Sequence, residues 1–336
     1  NLGEIAQSVI KVARSMGVKT VAVYEKPDSE ANYIRLADTA VMIGDGPVVD
    51  YLNIDKIIRV ALESGVDAVH PGYGFLAENA DFAEACDKAG LIFIGPPSQV
   101  MRQLSDKIAA KRMASQAAIP VVPGTDILPF GDAGIKEVES FADKYGYPIL
   151  LKAVTGGGGR GIRKIKTRDE IERYLNRTRE EAKTSFNNDA VYAEKLIVSP
   201  CHVEIQILAD QFGNVIHLGS RDCSIQRRNQ KLIEVSPAAV SDAVLDKMYE
   251  MTFRIVRGSN YVNAGTVEFM FNPDTKEYWF MEMNTRLQVE YTVTEMVTGI
   301  DIIRKQIEIA EGNRIDLRQK DILVNGCAIQ VRINAE

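Results

Sequence analysis

A pair of glutamates placed across a predicted hairpin is the strongest chemical signal in the sequence. Apolar strands predicted at 266–271 and 278–284 flank the turn residues 272–275, so Glu268 is expected to lie directly opposite Glu282. Like charges at opposed positions destabilise a sheet, and a divalent cation would reverse that penalty. Because Mg²⁺ typically binds one or two carboxylates together with phosphate oxygens, the pair predicts a metal site that serves a phosphate ligand. Two solvated glutamates on an exposed face are the alternative.

Alternation along the strands adds polar side chains to this face. Glu282, Asn284 and Arg286 stand at every second position, which places their side chains on one side of a strand. His202 and Glu204 have the same spacing in another predicted strand, so both are candidates for the same site. A single histidine is more often structural than catalytic, and the spacing leaves the role of His202 open.

A glycine-rich loop from Thr155 to Gly161 joins two predicted strands. Its run of glycines at 156–159 would let backbone N–H groups approach phosphate oxygens without side-chain interference. The loop is not a Walker P-loop, since Gly-Lys-Ser/Thr is absent, and it does not match the dinucleotide-binding fingerprint. By itself the loop fits phosphate binding and a simple hairpin tip equally well.

Two lysines occupy positions where a positive charge is unfavourable without a partner. Lys107 stands near the start of a predicted helix, at the positive end of its dipole. Lys152 ends a strongly apolar strand, where an unpaired ammonium group would be costly. A bound phosphate would explain both lysines; a solvated Lys107 and a snorkelling Lys152 are the alternatives.

Four cations, Arg221, Arg227, Arg228 and Lys231, fall within residues 221–231 of a chain whose formal net charge is −6. An acidic protein that binds an anionic ligand must gather its positive charges locally. This segment is therefore the predicted basic cluster, with a solvated basic loop as the alternative.

The elements that position these residues fall into three successive parts. Helices and short apolar strands alternate through residues 1–105, which predicts a parallel sheet with helices on its faces. Pro120, Pro123 and Pro129 mark a linker to a second unit of mixed helices and strands, and strands dominate from residue 203. The chain opens on what resembles a strand-to-helix turn without its strand, so we expect a fragment of a longer protein.

Composition excludes several classes of protein. The net charge of −6 argues against a general nucleic-acid or membrane-surface binder. A membrane helix needs about 18 consecutive apolar residues, and no apolar run in the sequence approaches that length. The cysteines form no CxxC pair and the three histidines show no HExxH spacing, so a zinc site or a disulfide framework is not expected. Widely spaced cysteines without such a framework fit a reducing compartment, and we expect a cytoplasmic protein, with the mitochondrion as the other option. The cysteines are Cys86, Cys201, Cys223 and Cys327.

Taken in order along the chain, these segments resemble the biotin carboxylase family over essentially the whole sequence. The segments that carry the resemblance are His70-Pro-Gly-Tyr-Gly-Phe-Leu-Ala-Glu-Asn79, Lys152 with the glycine-rich loop, His202-Val-Glu-Ile-Gln206, Arg221-Asp-Cys-Ser-Ile-Gln-Arg-Arg-Asn-Gln-Lys231, Glu282-Met-Asn-Thr-Arg-Leu-Gln-Val-Glu290, Val293-Thr-Glu295 and Arg332-Ile-Asn-Ala-Glu336.

The resemblance implies an ATP-grasp fold, of mixed α/β and α+β class. Its parts would be an N-terminal doubly wound parallel-sheet domain over 1–105 that lacks its first strand, a mobile lid over 122–196, and a truncated C-terminal β-rich domain over 197–336.

The resemblance also implies a role for individual residues. The nucleotide would be held by Lys107, Lys152, Gly156, Gly157, Gly158, Gly159, Glu194, Lys195 and Ile197, with His202 and Gln226 nearby. Mg²⁺ or Mn²⁺ would be bound by Glu268 and Glu282 with the support of Asn284. Bicarbonate would be held by Lys231, Arg286, Gln288 and Val289, with Glu290 as its base, and Tyr73 and Arg332 would face biotin.

The implied reaction is the ATP- and bicarbonate-dependent carboxylation of biotin through carboxyphosphate. Glu290 would deprotonate bicarbonate, and Arg332 would stabilise the enolate-like anion of biotin. The implied partners are a biotinyl carrier domain or protein and a carboxyltransferase, and the complete protein is expected to form a homodimer. No nucleic acid or membrane partner is expected.

The sequence departs from the family pattern at a few positions. Asn229 stands where many relatives have His, Tyr291-Thr292 replaces His-Pro, and Leu2 replaces Arg. Two other interpretations remain: another ATP-grasp ligase, such as half of a carbamoyl-phosphate synthetase, and a nucleotide-binding module that has lost catalysis. Retention of Glu290 and Arg332 argues against the second.

Overall fold

Helices and short parallel strands alternate through the first part of the chain, as the sequence predicts. The computed structural model describes residues 3–105, 107–154, 161–228 and 230–333. The first elements are α1 (Gly3–Ser15), β1 (Val21–Glu25), α2 (Asn32–Leu36), β2 (Thr39–Gly44), α3 (Ile54–Glu63), β3 (Ala68–Val69), α4 (Ala80–Lys88), β4 (Ile92–Phe93) and α5 (Ser98–Ser105). Strand β1 pairs in parallel with β2, and β3 pairs in parallel with β4, as two two-stranded sheets.

Side-chain caps fix where two of these helices begin. The Asn53 side chain accepts a hydrogen bond from the Lys56 N–H at 3.0 Å, and Asn79 accepts one from the Phe82 N–H at 2.9 Å. Each cap satisfies a backbone donor that the first helical turn leaves unpaired. Helix α4, which follows the segment containing Tyr73 and Glu78, therefore has a defined start.

The middle of the chain forms a three-stranded antiparallel sheet covered by two helices. Its elements are α6 (Lys107–Gln116), α7 (Asp132–Tyr145), β5 (Ile149–Ala153), β6 (Ile162–Ile165), α8 (Ile171–Phe186) and β7 (Val191–Lys195). The strand order is β6-β5-β7, and side chains from the sheet and from α7 and α8 share one buried apolar cluster.

The last part is a six-stranded antiparallel sheet with the order β12-β11-β8-β9-β10-β13. Its elements are β8 (Cys201–Ala209), β9 (Val215–Arg227), β10 (Gln230–Ser236), α9 (Asp242–Gly258), β11 (Asn263–Phe271), β12 (Tyr278–Asn284), α10 (Tyr291–Thr298), α11 (Ile302–Ala310) and β13 (Ala328–Val331). None of the helices in the described ranges is long and apolar enough to cross a bilayer.

The two faces of this sheet differ because side chains alternate along each strand. Val203, Ile205 and Phe269 are fully buried in a core that also contains side chains from α5, α6 and α9. The residues between them on the same strands, such as Glu204 and Glu268, point to the opposite face. The polar stretch of that face is where the predicted site residues lie.

Strand β9 runs through most of the predicted basic cluster. It continues to Arg227 and forms a hairpin with β10. The solvated-loop alternative for this basic segment is therefore wrong for Arg221, which is fully buried. Arg227 and Arg228, at the tip of the hairpin, are exposed.

Candidate active site

One row of charged residues crosses four neighbouring strands of the large sheet. Glu282 of β12 lies opposite Glu268 of β11, Glu268 lies opposite Glu204 of β8, and Glu204 lies opposite Arg221 of β9. The hairpin register predicted for Glu268 and Glu282 is thus observed. Residues at opposed positions share a face of the sheet, so three carboxylates and a guanidinium group line one surface.

Lys231 neutralises much of this negative charge. Its Nζ contacts Glu204, lies 3.0 Å from Glu268 Oε1, and lies 2.7 Å from Glu290 Oε1. Burial alone would lower the pKa of Lys231, but the three carboxylates raise it above its ordinary value. The ammonium group is therefore a fixed positive charge in the centre of the site.

His202 supplies a second positive charge beside the same carboxylates. Its Nε2 lies 3.1 Å from Glu204 Oε1 and 3.0 Å from Glu268 Oε2. Burial disfavours the imidazolium form, but Glu268 and Glu204 outweigh it and raise the pKa of His202 to about 10. Burial also disfavours the charged form of Glu268, and Lys231 and His202 overcome this and hold its pKa well below the usual range.

Arg221, at the end of the row, holds Glu204 in place. Its guanidinium group donates to Glu204 Oε2 at 3.1 Å, to Gln206 Oε1 at 2.8 Å and to Gln288 Oε1 at 2.7 Å. Gln288 in turn donates to Glu268 Oε1 at 2.9 Å. A buried arginine is tolerable only when its donors are satisfied, and this network satisfies them while it fixes the position of Glu204.

Glu290 lies between two cations, one in β10 and one just after β13. Lys231 Nζ donates to its Oε1 at 2.7 Å, and Arg332 Nη2 donates to its Oε2 at 2.8 Å. Glu290 stands at the N-terminus of α10 and is only 2% exposed. This arrangement places a carboxylate base beside positive charge that could also hold a small anion.

A cleft opens between the three-stranded sheet and the large sheet. Lys111, Lys152, Glu194 and Glu282 provide its charged lining, and Tyr192 contributes an aromatic ring. The remaining lining residues are Val122, Ala153, Ile162, Met270, Phe280 and Met281. Such a mixture of apolar surface and a few placed charges is typical of a small-molecule site.

Two lysines pair with a buried carboxylate inside this cleft. The ammonium groups of Lys111 and Lys152 both contact Glu194, whose side chain is 2% exposed. Burial would raise the pKa of Glu194, but the two lysines lower it below its ordinary value. The two lysines thus place positive charge at this end of the cleft.

The carboxylates provide hard oxygen ligands of the kind that Mg²⁺ prefers. Glu268 and Glu282 lie on opposed positions, Glu282 lines the cleft, and Asn284 Nδ2 donates to Glu268 Oε1 at 2.7 Å. The predicted metal ligands Glu268 and Glu282 thus lie together, with Glu282 at the edge of the cleft. Two other groups of side chains have the types and spacing of metal ligands. One group is His202, Glu204 and Glu268, and the other is Glu204, Cys223 and Glu290. Both groups lie around the Lys231 ammonium group, so each already contains a cation.

Comparison with known proteins connects this geometry to a family. The family described as "Biotin carboxylase, N-terminal domain" matches residues 1–101, and "Carbamoyl-phosphate synthase L chain, ATP binding domain" matches residues 106–318. The chain is 46% identical to Biotin carboxylase 1 of Bacillus subtilis over 338 residues, which cover all of this chain and 74% of that protein. The chain belongs to the biotin carboxylase family. The biotin carboxylase fold, the ATP-using ligase class and the family reaction predicted from the sequence are thereby confirmed.

Solved biotin carboxylases have the same fold. The biotin carboxylase domain dimer of 2-oxoglutarate carboxylase from Hydrogenobacter thermophilus, in complex with MgADP, ADP and bicarbonate, superposes with a TM-score of 0.93 at 45% identity, over all of this chain and 74% of that one. Human mitochondrial pyruvate carboxylase is 47% identical, but the chain spans only 29% of its length. Relatives of this chain are thus components of multi-subunit or multidomain carboxylases.

The structure brings most of the predicted biotin carboxylase residues together. Lys231, Glu268, Glu290 and Arg332 form one connected network, and His202 joins it through Glu268. Further predicted residues border this network. Gln226 Nε2 lies 3.2 Å from His202 Nδ1, and Gln288 bridges Arg221 and Glu268. Arg286 Nη2 lies 3.5 Å from Asn284 Oδ1, and the Val289 carbonyl oxygen accepts a hydrogen bond from Gln330 at 3.4 Å.

Other predicted residues have different immediate partners. Tyr73 donates its hydroxyl hydrogen to Glu4 and is 6% exposed. Lys195 and Ile197 follow the cleft residue Glu194, and Lys195 N–H donates to Pro123 O at 2.9 Å. Gly156, Gly157, Gly158, Gly159 and the side chain of Lys107 lie outside what the structure describes.

The departures from the biotin carboxylase pattern at Tyr291 and Thr292 are accommodated by packing. Tyr291 is 2% exposed in the cluster that joins α1, α10 and α11, and the Thr292 hydroxyl donates to Gln330. Leu2 and Asn229 lie outside the described residues.

Sequence reasoning missed several residues of the site. Lys111 stands one helical turn after Lys107, so its spacing could have indicated it. Tyr192 precedes the predicted Glu194 by two positions in β7 and shares its face of the strand. Glu78 pairs with Arg286 at 2.9 Å, and Glu234 pairs with Arg332 at 2.6 Å. No local pattern signals these last two contacts, which join residues far apart in the chain.

Proposed function

We propose that the chain carboxylates biotin held on a separate carrier domain or protein, with ATP and bicarbonate as co-substrates and carboxyphosphate as the intermediate. The observation that carries this proposal is the position of Glu290 between Lys231 and Arg332, beside the opposed carboxylates Glu268 and Glu282. A base, anion-binding cations and candidate metal ligands thus lie together at the edge of the cleft.

Glu290 is the proposed base for bicarbonate. Lys231 and Arg332, which hold Glu290, also provide positive charge for the bicarbonate anion, and Arg286, Gln288 and Val289 complete its site. After Glu290 takes the proton, a bicarbonate oxygen bonds to the γ-phosphorus of ATP and ADP leaves. Phosphoryl transfer of this kind depends mainly on positioning and charge neutralisation, which these fixed cations supply.

The second step transfers CO₂ to biotin. Carboxyphosphate breaks its carbon–oxygen bond to give CO₂ and phosphate, the phosphate takes the proton of the biotin ureido nitrogen, and that nitrogen bonds to CO₂. Arg332, with Tyr73 nearby, stabilises the negative charge that develops on the ureido oxygen. A guanidinium group already fixed in place stabilises such a charge without reorganisation.

The nucleotide is proposed to occupy the cleft. Lys152 and Glu194 line it, and Lys195 and Ile197 follow Glu194 in the chain. Lys107, the glycine run, His202 and Gln226 are the further residues proposed to hold the nucleotide. Residues 122–196 form the proposed lid between the domains over 1–105 and 197–336, and its closure would exclude water from carboxyphosphate. Bound Mg²⁺ or Mn²⁺, held by Glu268, Glu282 and Asn284, would neutralise charge on the phosphates.

The proposed partners are a biotinyl carrier and a carboxyltransferase, and the complete protein is proposed to be a homodimer. The four cysteines are free thiols, which supports a reducing compartment, the cytoplasm or alternatively the mitochondrion. The final carboxyl acceptor is chosen by the carboxyltransferase.

Bicarbonate-dependent hydrolysis of ATP, measured with and without free biotin, tests the proposal. We expect biotin to stimulate ATP hydrolysis in the wild-type protein and Glu290→Gln to abolish the stimulation. The exposed Glu277→Gln is the matched control and should behave as wild type. ATP hydrolysis that depends on neither bicarbonate nor biotin would instead support another ATP-grasp ligase.

A further inference from the structure

Glu234 is a buried carboxylate beside Arg332 that has no role in the reaction as described above. Its side chain is fully buried, whereas the Arg332 side chain is 20% exposed. Arg332 Nε donates to Glu234 Oε1 at 2.6 Å, and Arg332 Nη2 donates to Glu290 Oε2 at 2.8 Å. Two carboxylates therefore hold the guanidinium group through two of its nitrogens, and this fixes the plane of the group as well as its position.

The sheet explains why Arg332 needs such a tether. It follows β13, an edge strand that pairs only with β10 in the described sheet. The Arg332 N–H donates to Leu232 O at 2.9 Å, and Glu234 lies opposite Gln330. Glu234 and Arg332 are thus diagonal neighbours on one face, a separation that long side chains bridge. The hydrogen bond from Arg332 Nε to Glu234 fixes the direction of the guanidinium group, which the backbone hydrogen bonds of an edge strand do not do.

Stability alone does not account for a carboxylate at this position. Glu234 Oε2 is buried and has no hydrogen-bond partner among the described residues. Burial raises the pKa of Glu234, and the nearby Arg332 opposes that rise. A buried ion pair is often no more stabilising than an apolar pair of similar volume, so the unpaired oxygen points to a requirement other than folding.

We propose that Glu234 is a positioning residue that orients Arg332 for stabilisation of the biotin anion. The inference rests on the proposed function, because it requires Arg332 to act on biotin. It assigns Glu234 no contact with ATP, so biotin-dependent turnover should respond to its substitution and ATP binding should not.

Glu234→Gln keeps the length of the side chain and removes its charge. In the full chain we expect kcat for biotin-dependent ATP hydrolysis to fall by about tenfold to a hundredfold, the range expected when a reacting group is slightly misplaced. The KM for ATP should stay at its wild-type value. The slow bicarbonate-dependent hydrolysis without biotin should fall by a smaller factor than the biotin-dependent rate, because Arg332 also contacts Glu290. In the Arg332→Gln background the same substitution should cause no further loss, because residues that act as one unit are not additive.

Two controls separate positioning from folding. Glu234→Asp retains the charge but withdraws the carboxylate, and should show the same selective loss if Glu234→Gln does not fold. Asp210→Asn removes another buried carboxylate, which holds Asn214 and the Ile315 N–H, and should lower Tm without changing the ratio of biotin-dependent to biotin-independent hydrolysis.

Unchanged biotin-dependent turnover in both Glu234 variants would overturn the inference, as would losses that add to that of Arg332→Gln. Wild-type ATP hydrolysis that does not respond to biotin would instead overturn the proposed function itself, and the inference with it. A normal biotin-dependent rate in Arg332→Gln would remove the assigned role of Arg332 and thereby that of Glu234.

Discussion

At the residue scale, a few lysines hold together carboxylates that are distant in the sequence. Lys231 contacts Glu290 across 59 positions, and Lys111 contacts Glu194 across 83. The opposition of Glu268 and Glu282 could be predicted because a short hairpin fixes both. The convergence of Lys231, Glu290 and Arg332 could be anticipated only through the family resemblance, since periodicity within one strand carries no information about partners on another.

Lys111 provides a prediction about nucleotide binding. Lys111→Met removes one of the two ammonium groups that contact Glu194 and leaves a more negative cleft. We expect the KM for ATP to rise about tenfold or more, since a hydrogen bond to a charged group contributes about 1.5–3 kcal/mol.

The exposed Lys136→Met on α7 is the matched control and should leave the KM unchanged. Steady-state kinetics and calorimetric titration with ADP would measure both variants. An unchanged affinity in Lys111→Met would contradict the assignment of the cleft to ATP.

At the scale of elements, the alternating pattern of the N-terminal part and the hairpin of β11 and β12 could be read from the sequence, whereas α10 could not. Helix α10 contains Thr292, Val293, Thr294 and Val297, whose branched side chains disfavour a helix. Burial of Tyr291, Val293, Thr294 and Val297 against neighbouring elements overrides that local preference. The helix that positions Glu290 thus depends on tertiary packing.

Two helical glycines give a paired prediction for stability. A Cβ at Gly134 in α7 would stand 2.1 Å from the Pro129 carbonyl oxygen, whereas a Cβ at Gly258 in α9 would meet nothing within 4 Å. Gly134→Ala should therefore destabilise the protein by about 1–3 kcal/mol, as other overpacked sites do. Gly258→Ala should be neutral or stabilising by up to about 1 kcal/mol.

Urea denaturation of the two alanine variants measures this difference. Equal stabilities would mean that the backbone around Pro129 moves freely away from α7, against the close packing seen in the structure.

At the scale of the whole molecule, a buried histidine links stability to pH. His217 of β9 stacks on Tyr249 with a ring-centroid distance of 3.6 Å, and its Nδ1 accepts the Gly219 N–H at 3.3 Å. Burial lowers its pKa from 6.5 to about 4. Because the unfolded chain binds the proton more tightly, the contribution of His217 is complete above pH 6.5 and is lost as the pH falls towards 4.

His217→Phe keeps a ring against Tyr249 and cannot be protonated. The free energy of unfolding of the wild type should fall more steeply than that of the variant between pH 7 and pH 4, by up to about 3 kcal/mol. Parallel pH profiles for the two proteins would show that His217 is not the group responsible.

The central claim is that Glu290 and its two cations perform the ATP-dependent carboxylation of biotin. Transfer of radiolabelled bicarbonate to free biotin, in the presence of ATP and Mg²⁺, tests it most directly. We predict labelled carboxybiotin from the wild type and from Glu277→Gln, and none from Glu290→Gln although that variant still binds ADP. Labelled product from Glu290→Gln at the wild-type rate, or no product from the wild-type protein, would contradict the claim.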